Sequence, residues 1–238
     1  MVSQITLGDI AVDVVLKDIK NVHLSVYPPT GRVRISAPKR MRIDAIRVFA
    51  ISKLDWIKQQ QTRLRAQERE TPRDYVERES HYVWGNRYLL TVSESDEPPS
   101  MELKHSRMLL RVRPRTDENK RQALVEQWYR ELLKEAIPIL LVRWQPLLNV
   151  RVERFFVQRM KTKWGSCNHR AHTIRLNTEL AKKPTECLEY IVVHELVHLL
   201  EPTHNARFVA LMDRFMPKWQ FHRQVLNRLP VRRETWSY

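Results

Sequence analysis

The chain has 238 residues, of which 42% are hydrophobic, so it is long enough for one large domain or two small ones with a true core. Its two cysteines exclude a disulfide framework, and no apolar run approaches the length of a membrane span. Lys and Arg number 42 against 27 acidic residues, a net charge of +15 that favours nucleic acid or another polyanion as a partner, or else reflects solvated helix faces.

The first half of the chain begins with strand-like segments. Apolar and β-branched residues fill positions 5–16, and the alternating segments 22–26 and 33–35 flank a Pro-Pro-Thr-Gly turn, which predicts a hairpin. Residues 44–67 contain no Gly or Pro and carry apolar residues at helical spacing, so they are predicted to form one long helix.

Strand composition returns after this helix. Residues 82–92 read as a strand pair with a turn at Gly85-Asn86, and residues 101–112 as a second pair. A polar loop, residues 93–100, joins the two pairs.

Helical character begins near Arg115. Asp117 or Asn119 is the expected N-cap of a helix that Pro138 and Pro146 should kink or divide. The predicted fold is α+β, with a β-rich N-terminal region (residues 1–115) that includes one long helix, and a mainly helical domain with a short sheet (residues 116–238).

Three segments precede the most informative part of the chain. Residues 150–158 are a predicted strand, residues 160–168 are basic and turn-forming, and residues 172–177 alternate as a strand does.

A helix is expected from Pro184 to Leu200, because proline suits a first helical turn and the apolar residues that follow share one face. His194 and His198 lie one turn apart on this helix, roughly 6 Å along its axis, so both imidazoles can bind one metal ion. Glu195 lies about 100° round the helix from His194, where it can take a proton from water that the metal activates.

A catalytic zinc takes three protein ligands and keeps one position open. His204 is the candidate third ligand, because Pro202 should end the helix near Glu201 and let the chain fold back. Thr203 or Asn205 could then cap a further helix. Its apolar stripe would be Phe208, Leu211, Met212, Phe215 and Met216.

A closed structural zinc site with a fourth protein ligand is the alternative. Its candidate ligands are Cys167, His169, His172 and Cys187. Cys187 lies two helical turns before His194, about 10 Å away, which is too far for the same ion. Cys167 stays open as a ligand.

Several motifs together resemble the YgjP-like metallopeptidase family, which is related to the SprT-like and WLM proteases. They are Lys-Thr-Lys-Trp-Gly-Ser-Cys at 161–167, Ile-Arg-Leu-Asn at 174–177, His-Glu-Leu-Val-His at 194–198, Thr-His-Asn at 203–205, and Phe208. The resemblance implies a zincin-like second half that binds Zn²⁺ through His194, His198 and His204, with Glu195 as the catalytic acid/base. Metzincins share the histidine spacing, but they carry glycine where this chain has Glu201, and no Met-turn is evident.

The predicted activity is zinc-dependent hydrolysis of peptide bonds. Glu195 is the general base, and Tyr190, one turn before His194, is the candidate donor to the oxyanion. The strand at 172–177 could offer its edge to an extended polypeptide substrate, or could be an ordinary core strand. The predicted substrate-binding residues are Trp164, Ser166, Arg175 and Asn177.

Two other functions are kept as alternatives. A metal-dependent nucleoside triphosphate pyrophosphohydrolase or phosphohydrolase would use the same activated water, although neither a Gly-rich phosphate loop nor a carboxylate cluster for magnesium is evident in the sequence. A non-enzymatic nucleic-acid-binding protein would use a closed, structural zinc. Because the N-terminus lacks a signal-peptide pattern, we expect a cytoplasmic protein, and the sequence leaves its oligomeric state open.

Overall fold

The computed structural model describes residues 2–27, 30–66, 73–160 and 162–230. Backbone contacts divide the chain into two compact units, Met1–Glu70 with Pro230–Tyr238, and Thr71–Leu229. The α+β fold is confirmed, whereas the functional division into residues 1–115 and 116–238 stays a prediction. None of the described helices combines the length and apolar character that a membrane crossing requires. Lys161 and the Pro28-Pro29 turn lie outside the described residues.

The first unit is a four-stranded sheet whose apolar face packs against two helices. The strand order is β1-β2-β4-β3, and the predicted hairpin is confirmed as the antiparallel pair β3–β4. Alternate strand residues such as Val12, Val14, Val33 and Ile35 are fully buried because they share the face that the helices cover. The elements are β1 (Val2–Leu7), β2 (Ile10–Lys17), β3 (His23–Tyr27), β4 (Arg32–Pro38), α1 (Ile43–Ser52) and α2 (Leu54–Ala66).

The long helix predicted for residues 44–67 is interrupted at Lys53, and Gln67 lies outside the described residues. The Ser52 hydroxyl donates to the Phe49 carbonyl oxygen at 2.8 Å, which is the acceptor that an unbroken helix would offer to the Lys53 N–H. The Lys53 N–H bonds instead to the Ala50 carbonyl at 3.1 Å. A local side-chain bond therefore interrupts a segment that lacks any Gly or Pro.

The second unit opens with another four-stranded sheet, in the order β5-β6-β8-β7. The two predicted strand pairs are confirmed, and the first turn consists of Trp84 and Gly85, both with positive φ, rather than Gly85 and Asn86. In both four-stranded sheets two antiparallel pairs are joined by a central parallel pair, although no repeat is evident in the sequence. The strands are β5 (Ser80–Val83), β6 (Asn86–Glu94), β7 (Ser100–Lys104) and β8 (Arg107–Val112).

Helix α3 (Glu118–Leu148) follows, and it runs through both prolines instead of dividing at them. Pro138 and Pro146 lie on its exposed side, so the carbonyls four residues before them, at Lys134 and Val142, are also at the exposed side and can bond water. The opposite side is held in the core. The Asp117 side chain caps the helix by accepting from the Lys120 N–H at 2.8 Å, as predicted.

The remaining elements surround the histidine-rich segment. Strands β9 (Arg154–Gln158), β10 (Gly165–Asn168) and β11 (Thr173–Asn177) form a sheet in the order β10-β11-β9. A 3₁₀ helix (Thr178–Lys182) leads to α4 (Thr185–Val197), α5 (Ala206–Phe215) and α6 (Trp219–Arg228). One hydrophobic core joins these helices to α3 and to the β5–β8 sheet, so this sheet supports the metal-binding half of the chain.

Candidate metal centre

Helix α4 carries His194 in its last turn, and His198 is the C-cap residue that follows Val197. Their ring centroids are 4.8 Å apart and the rings are nearly perpendicular, at 85°. Almost all other side chains from Leu188 to Val197 are buried, because α4 packs against both the helices and the small sheet. The two half-buried imidazoles are therefore held on a helix whose orientation is fixed by its core contacts.

The chain folds back after α4 and brings His204 to the same place, as the proline at position 202 predicts. The Glu201 carboxylate accepts from the Thr203 N–H at 3.2 Å and from the Thr203 hydroxyl at 2.9 Å. Asn205 then caps α5 by accepting from the Phe208 N–H at 3.0 Å. Glu201 is not in a left-handed conformation, so this turn does not need the glycine found in metzincins.

The three histidines fit a metal ion. One ring nitrogen from each lies within 4.8 Å of the others, and the Nε2 atoms of His194 and His204 are 3.0 Å apart. Nitrogen ligands about 2.1 Å from a tetrahedral zinc would be about 3.4 Å apart. This spacing lies between the 3.0 Å of the His194–His204 pair and the 4.8 Å within which all three nitrogens lie. His198 Nδ1 lies 3.1 Å from the Glu201 carbonyl oxygen. Because a carbonyl can only accept, Nδ1 carries the proton and Nε2 keeps its lone pair for a metal ion.

The electrostatic environment keeps the imidazoles neutral, which is the form that binds metals. Burial lowers the pKa of His194 to about 3, with further lowering by His198, His204 and Arg223. Burial also lowers the pKa values of His198 and His204. Phe208 supports the cluster from α5, with its ring centroid 4.7–4.9 Å from each of the three imidazole centroids.

Glu195 lies beside the histidines and is only 4% exposed. Burial raises the pKa of Glu195 to about 8, while the positive charge of Lys163 partly opposes this. Its Oε2 atom has no hydrogen-bond partner among the described residues. A Cβ atom at Gly165 would lie 2.5 Å from Glu195 Oε1, so the close approach of β10 to this carboxylate requires glycine.

A cavity of about 800 Å³ opens over the histidines and Glu195. Tyr190 lines it, and the Tyr190 ring stacks on Trp219 at 6.5 Å and meets His194 edge-on at 5.8 Å. Burial raises the pKa of Tyr190 to about 12, so its hydroxyl keeps its proton. This proton is what an oxyanion donor needs, and the catalytic role of Tyr190 stays a prediction.

Two of the four predicted substrate-binding residues line the cavity. Trp164 and Ser166 line the cavity, whereas Arg175 and Asn177 are not part of its lining. Arg175 lies over the Phe156 ring, 5.4 Å from its centroid. The Asn177 amide donates to two carbonyl oxygens of the segment that precedes β10, those of Met160 and Lys163, each at 2.8 Å. Asn177 therefore holds this segment, and substrate contact by any of the four residues stays a prediction.

The suggestion that the strand at 172–177 offers a free edge is wrong. Strand β11 is the middle strand, paired with β10 on one side and β9 on the other. The edge strand beside the cavity is β10, which lies within residues 160–168, a segment predicted to form turns. This strand was not predicted because it is short and contains Gly and Asn, which favour turns.

The fourth-ligand alternative finds no support in the described part of the chain. The group of potential metal ligands there consists of His194, His198 and His204. His169 and Cys167 line the cavity without joining this group. His172 Nδ1 instead bonds to the Arg151 carbonyl oxygen at 3.0 Å.

Several residues of the site were not assigned a role from the sequence. These residues are Glu201, through its backbone carbonyl, Gly165, through its contact with Glu195, and Lys163, Trp219 and Arg223, through their side chains. The Trp-Gly-Ser-Cys motif could have indicated Gly165. The α6 residues carry no local signal, because they reach the cavity only through the packing of α6 on α4.

A His-Glu-x-x-His helix with a third histidine and a neighbouring edge strand is typical of metal-dependent peptidases. The family described as "YgjP-like, metallopeptidase domain" matches residues 20–229, most of the chain. The chain therefore belongs to the YgjP-like family and is a metallopeptidase.

Two solved structures of metallopeptidase zymogens resemble part of the chain. Pyrococcus abyssi abylysin is 20% identical, with a TM-score of 0.36, over 38% of this chain and 90% of that chain. Methanocaldococcus jannaschii jannalysin is 22% identical, with a TM-score of 0.33, over 40% of this chain and 92% of that chain. No curated protein matches the chain significantly.

Proposed function

We propose that this metallopeptidase is zinc-dependent, with His194, His198 and His204 as the ligands and Glu195 as the general base. The observation that carries the proposal is the convergence of three imidazole nitrogens beside a buried carboxylate in one open cavity. Three histidines leave a coordination position for water, as catalytic zinc sites do. When bound there, zinc would polarise the scissile carbonyl and lower the pKa of water toward ~7.

Glu195 would move the proton. Its Oε2 atom, which has no partner among the described residues, accepts the proton from the attacking water and passes it to the leaving amine. Burial raises the pKa of this carboxyl, and a zinc ion held by the histidines would lower it again, toward the charged form that a general base needs. The Tyr190 hydroxyl is the proposed donor to the oxyanion.

The substrate would be an extended polypeptide held along β10. Strand β10 is an edge strand and its residues Gly165, Ser166 and Cys167 line the cavity. Backbone pairing with an edge strand fixes the direction of a peptide without requiring a particular sequence. Trp164, at the start of this edge, would contact the side chains of the substrate.

A second partner is proposed from the charge alone. The net charge of +15 favours association with nucleic acid, so that the substrate could be a polypeptide bound to it. Binding to a DNA duplex that weakens steeply between 50 and about 200 mM salt would support this proposal, and binding that does not depend on salt would contradict it. A cytoplasmic location is likewise a proposal.

The test of catalysis compares the zinc-loaded protein with Glu195→Gln and with Glu186→Gln, an exposed carboxylate on the same helix. With unfolded polypeptides, Glu195→Gln should retain zinc and lose activity by at least about 100-fold, while Glu186→Gln stays active. Glu195-dependent release of phosphate from nucleoside triphosphates, without peptide cleavage, would overturn the proposal in favour of a phosphohydrolase.

The test of the ligands is metal content. His204→Ala should lose zinc, whereas His169→Ala, which changes a cavity histidine outside the metal-binding group, should keep it. Full zinc occupancy in His204→Ala would contradict the assignment of the third ligand.

A further inference from the structure

The described lining of the metal-centre cavity contains more cationic than acidic side chains. Within the described part of the chain, the charged side chains that line it are Lys163, Glu195 and Arg223. Glu195 is buried, whereas Lys163 and Arg223 are exposed. No ion pair joins either of these two cations to an acidic residue that the structure describes. The cavity therefore presents two exposed cationic side chains and one buried carboxyl to whatever enters it.

Arg223 lies in a defined position on the cavity wall. Its guanidinium carbon is 5.9 Å from the centroid of the Trp219 ring, and both residues belong to α6. The Trp219 indole N–H donates to Asp213 at 2.7 Å, and its ring stacks on Tyr190. Because Tyr190 in turn touches His194, this row of side chains holds the guanidinium on the side of the cavity next to the metal ligands.

Lys163 is the second exposed cation of the cavity lining. It belongs to the segment that leads into β10, and its carbonyl oxygen is held by the Asn177 amide. Lys163 and Arg223 belong to different parts of the chain, and both line the cavity that contains the three histidines and Glu195.

We propose that Arg223 binds a carboxylate of the polypeptide substrate close to the scissile bond, so that acidic sequences are preferred, with Lys163 adding to the positive potential. This proposal rests on the proposed peptidase function and names its substrate class. Arginine suits the role because its planar guanidinium forms paired hydrogen bonds with a carboxylate. The carboxylate can come from an Asp or Glu side chain or from the C-terminus of the substrate.

Peptide binding tests the proposal without turnover. Zinc-loaded Glu195→Gln protein is titrated with three labelled peptides that share one sequence: an amidated peptide with Glu beside the scissile bond, its amidated Gln counterpart, and the Gln peptide with a free C-terminus. A carboxylate-bearing peptide should bind about 10- to 100-fold more tightly than the amidated Gln peptide. The tighter of the two carboxylate peptides identifies the source of the carboxylate.

The same titration is repeated with Arg223→Gln and with Arg228→Gln, an exposed arginine of the same helix that does not line the cavity. Arg223→Gln should abolish the preference for a carboxylate, and Arg228→Gln should preserve it. Arg223→Glu should reverse it, so that a peptide with Lys at the varied position binds more tightly than one with Glu. Equal binding of all three peptides, or an unchanged preference in Arg223→Gln, would overturn the proposal.

A cleavage assay distinguishes a failure of the carboxylate preference from a failure of the proposed peptidase function. Glu195-dependent cleavage of neutral and acidic peptides at equal rates would reject the carboxylate preference and leave the peptidase intact. An Arg223-dependent preference in binding, without Glu195-dependent cleavage of any peptide, would support the carboxylate site and reject the proposed catalysis.

Discussion

Gly165 and Glu195 bring the small sheet and helix α4 close together. A Cβ at position 165 would lie 2.9 Å from both Cγ and Cδ of Glu195, as well as 2.5 Å from its Oε1. These distances are shorter than van der Waals contact, so any other residue would displace the carboxylate or the strand. The glycine of the Trp-Gly-Ser-Cys motif is thus explained by the position of the Glu195 carboxylate.

Gly165→Ala should therefore impair catalysis without removing the metal. Displacing Glu195 by about 1 Å should lower kcat by about 100-fold, because proton transfer depends on the distance and angle of the reacting groups. Zinc content should remain normal, because the three atoms nearest to the added Cβ all belong to Glu195 and none to a histidine. Both quantities are measured on the same preparation.

Gly8→Ala is the matched control, because a Cβ at Gly8 has no atom within 4 Å. It should leave kcat unchanged, although the positive φ of 62° at this position will lower stability. Normal kcat in Gly165→Ala would show that Glu195 tolerates the extra methyl group and would contradict the steric argument.

Sequence reasoning found the residues whose relation is local. His194, Glu195 and His198 follow from helical spacing, and His204 follows from the chain reversal that Pro202 permits. The role of Gly165 depends on a contact between residues 30 positions apart in the chain, and that of Arg223 on the packing of α6 against α4. Such contacts have no periodicity and could not be predicted from one sequence.

At the scale of elements, the start of α5 supports the metal site. Its first turn carries Phe208, which is 2% exposed and touches all three imidazoles. The sequence predicted Phe208 as part of an apolar stripe, and this stripe faces the core. Burial of the helix and support of the ligands therefore depend on the same side chain.

Phe208→Ala should lower the free energy of unfolding by about 3–5 kcal/mol and weaken zinc binding, because it leaves a cavity beneath the imidazoles. Phe208→Leu keeps part of the contact and should show a smaller loss of both. Phe221→Ala, which removes a ring that is 62% exposed on α6, is the control and should change neither. Urea unfolding and competition with a zinc chelator measure the two effects, and normal zinc affinity in a folded Phe208→Leu or Phe208→Ala protein would contradict the supporting role.

Asn177 supports the segment before β10 from the end of β11. Asn177→Ala should lower the free energy of unfolding by roughly 1–3 kcal/mol, because the carbonyls of Met160 and Lys163 lose their donor. Zinc content should stay normal. An unchanged stability together with a raised KM for peptides would instead identify Asn177 as a direct substrate contact, as the sequence first suggested.

Two helical segments differ from what their residue types predict. Helix α3 continues through Pro138 and Pro146 because core contacts outweigh two lost backbone bonds at its exposed side. The break between α1 and α2 contains no proline or glycine and accompanies the bond from the Ser52 hydroxyl to the Phe49 carbonyl. Residue types alone give the opposite expectation in both places. The course of α3 depends on which of its sides is buried, whereas the break after α1 accompanies a local bond of Ser52.

At the scale of the whole molecule, each unit has its own hydrophobic core. Strands β1–β4 with α1 and α2 form one core, and the remaining described elements share the other. The three clustered histidines, Glu195 and the cavity all belong to the second unit, which spans Thr71–Leu229. Both four-stranded sheets have the same strand order, but only the β5–β8 sheet shares a core with α4.

Zinc should therefore stabilise the second unit selectively. The unfolded chain does not hold the three histidines together, so zinc bound to the folded state adds about 4 kcal/mol when free zinc is 1,000-fold above Kd. Hydrogen exchange measured with and without zinc should slow in α4 and α5, where the ligands and Phe208 lie, and should remain unchanged in β1–β4 of the first unit.

His204→Ala provides the control for this effect, because it removes one ligand from outside α4. Zinc should no longer slow exchange in the α4 and α5 segments of this variant, whereas the exchange of both proteins without zinc should be similar. Equal protection of both units by zinc would contradict a site confined to the second core. Protection that persists in His204→Ala would instead mean that the protecting zinc is held by ligands other than this triad.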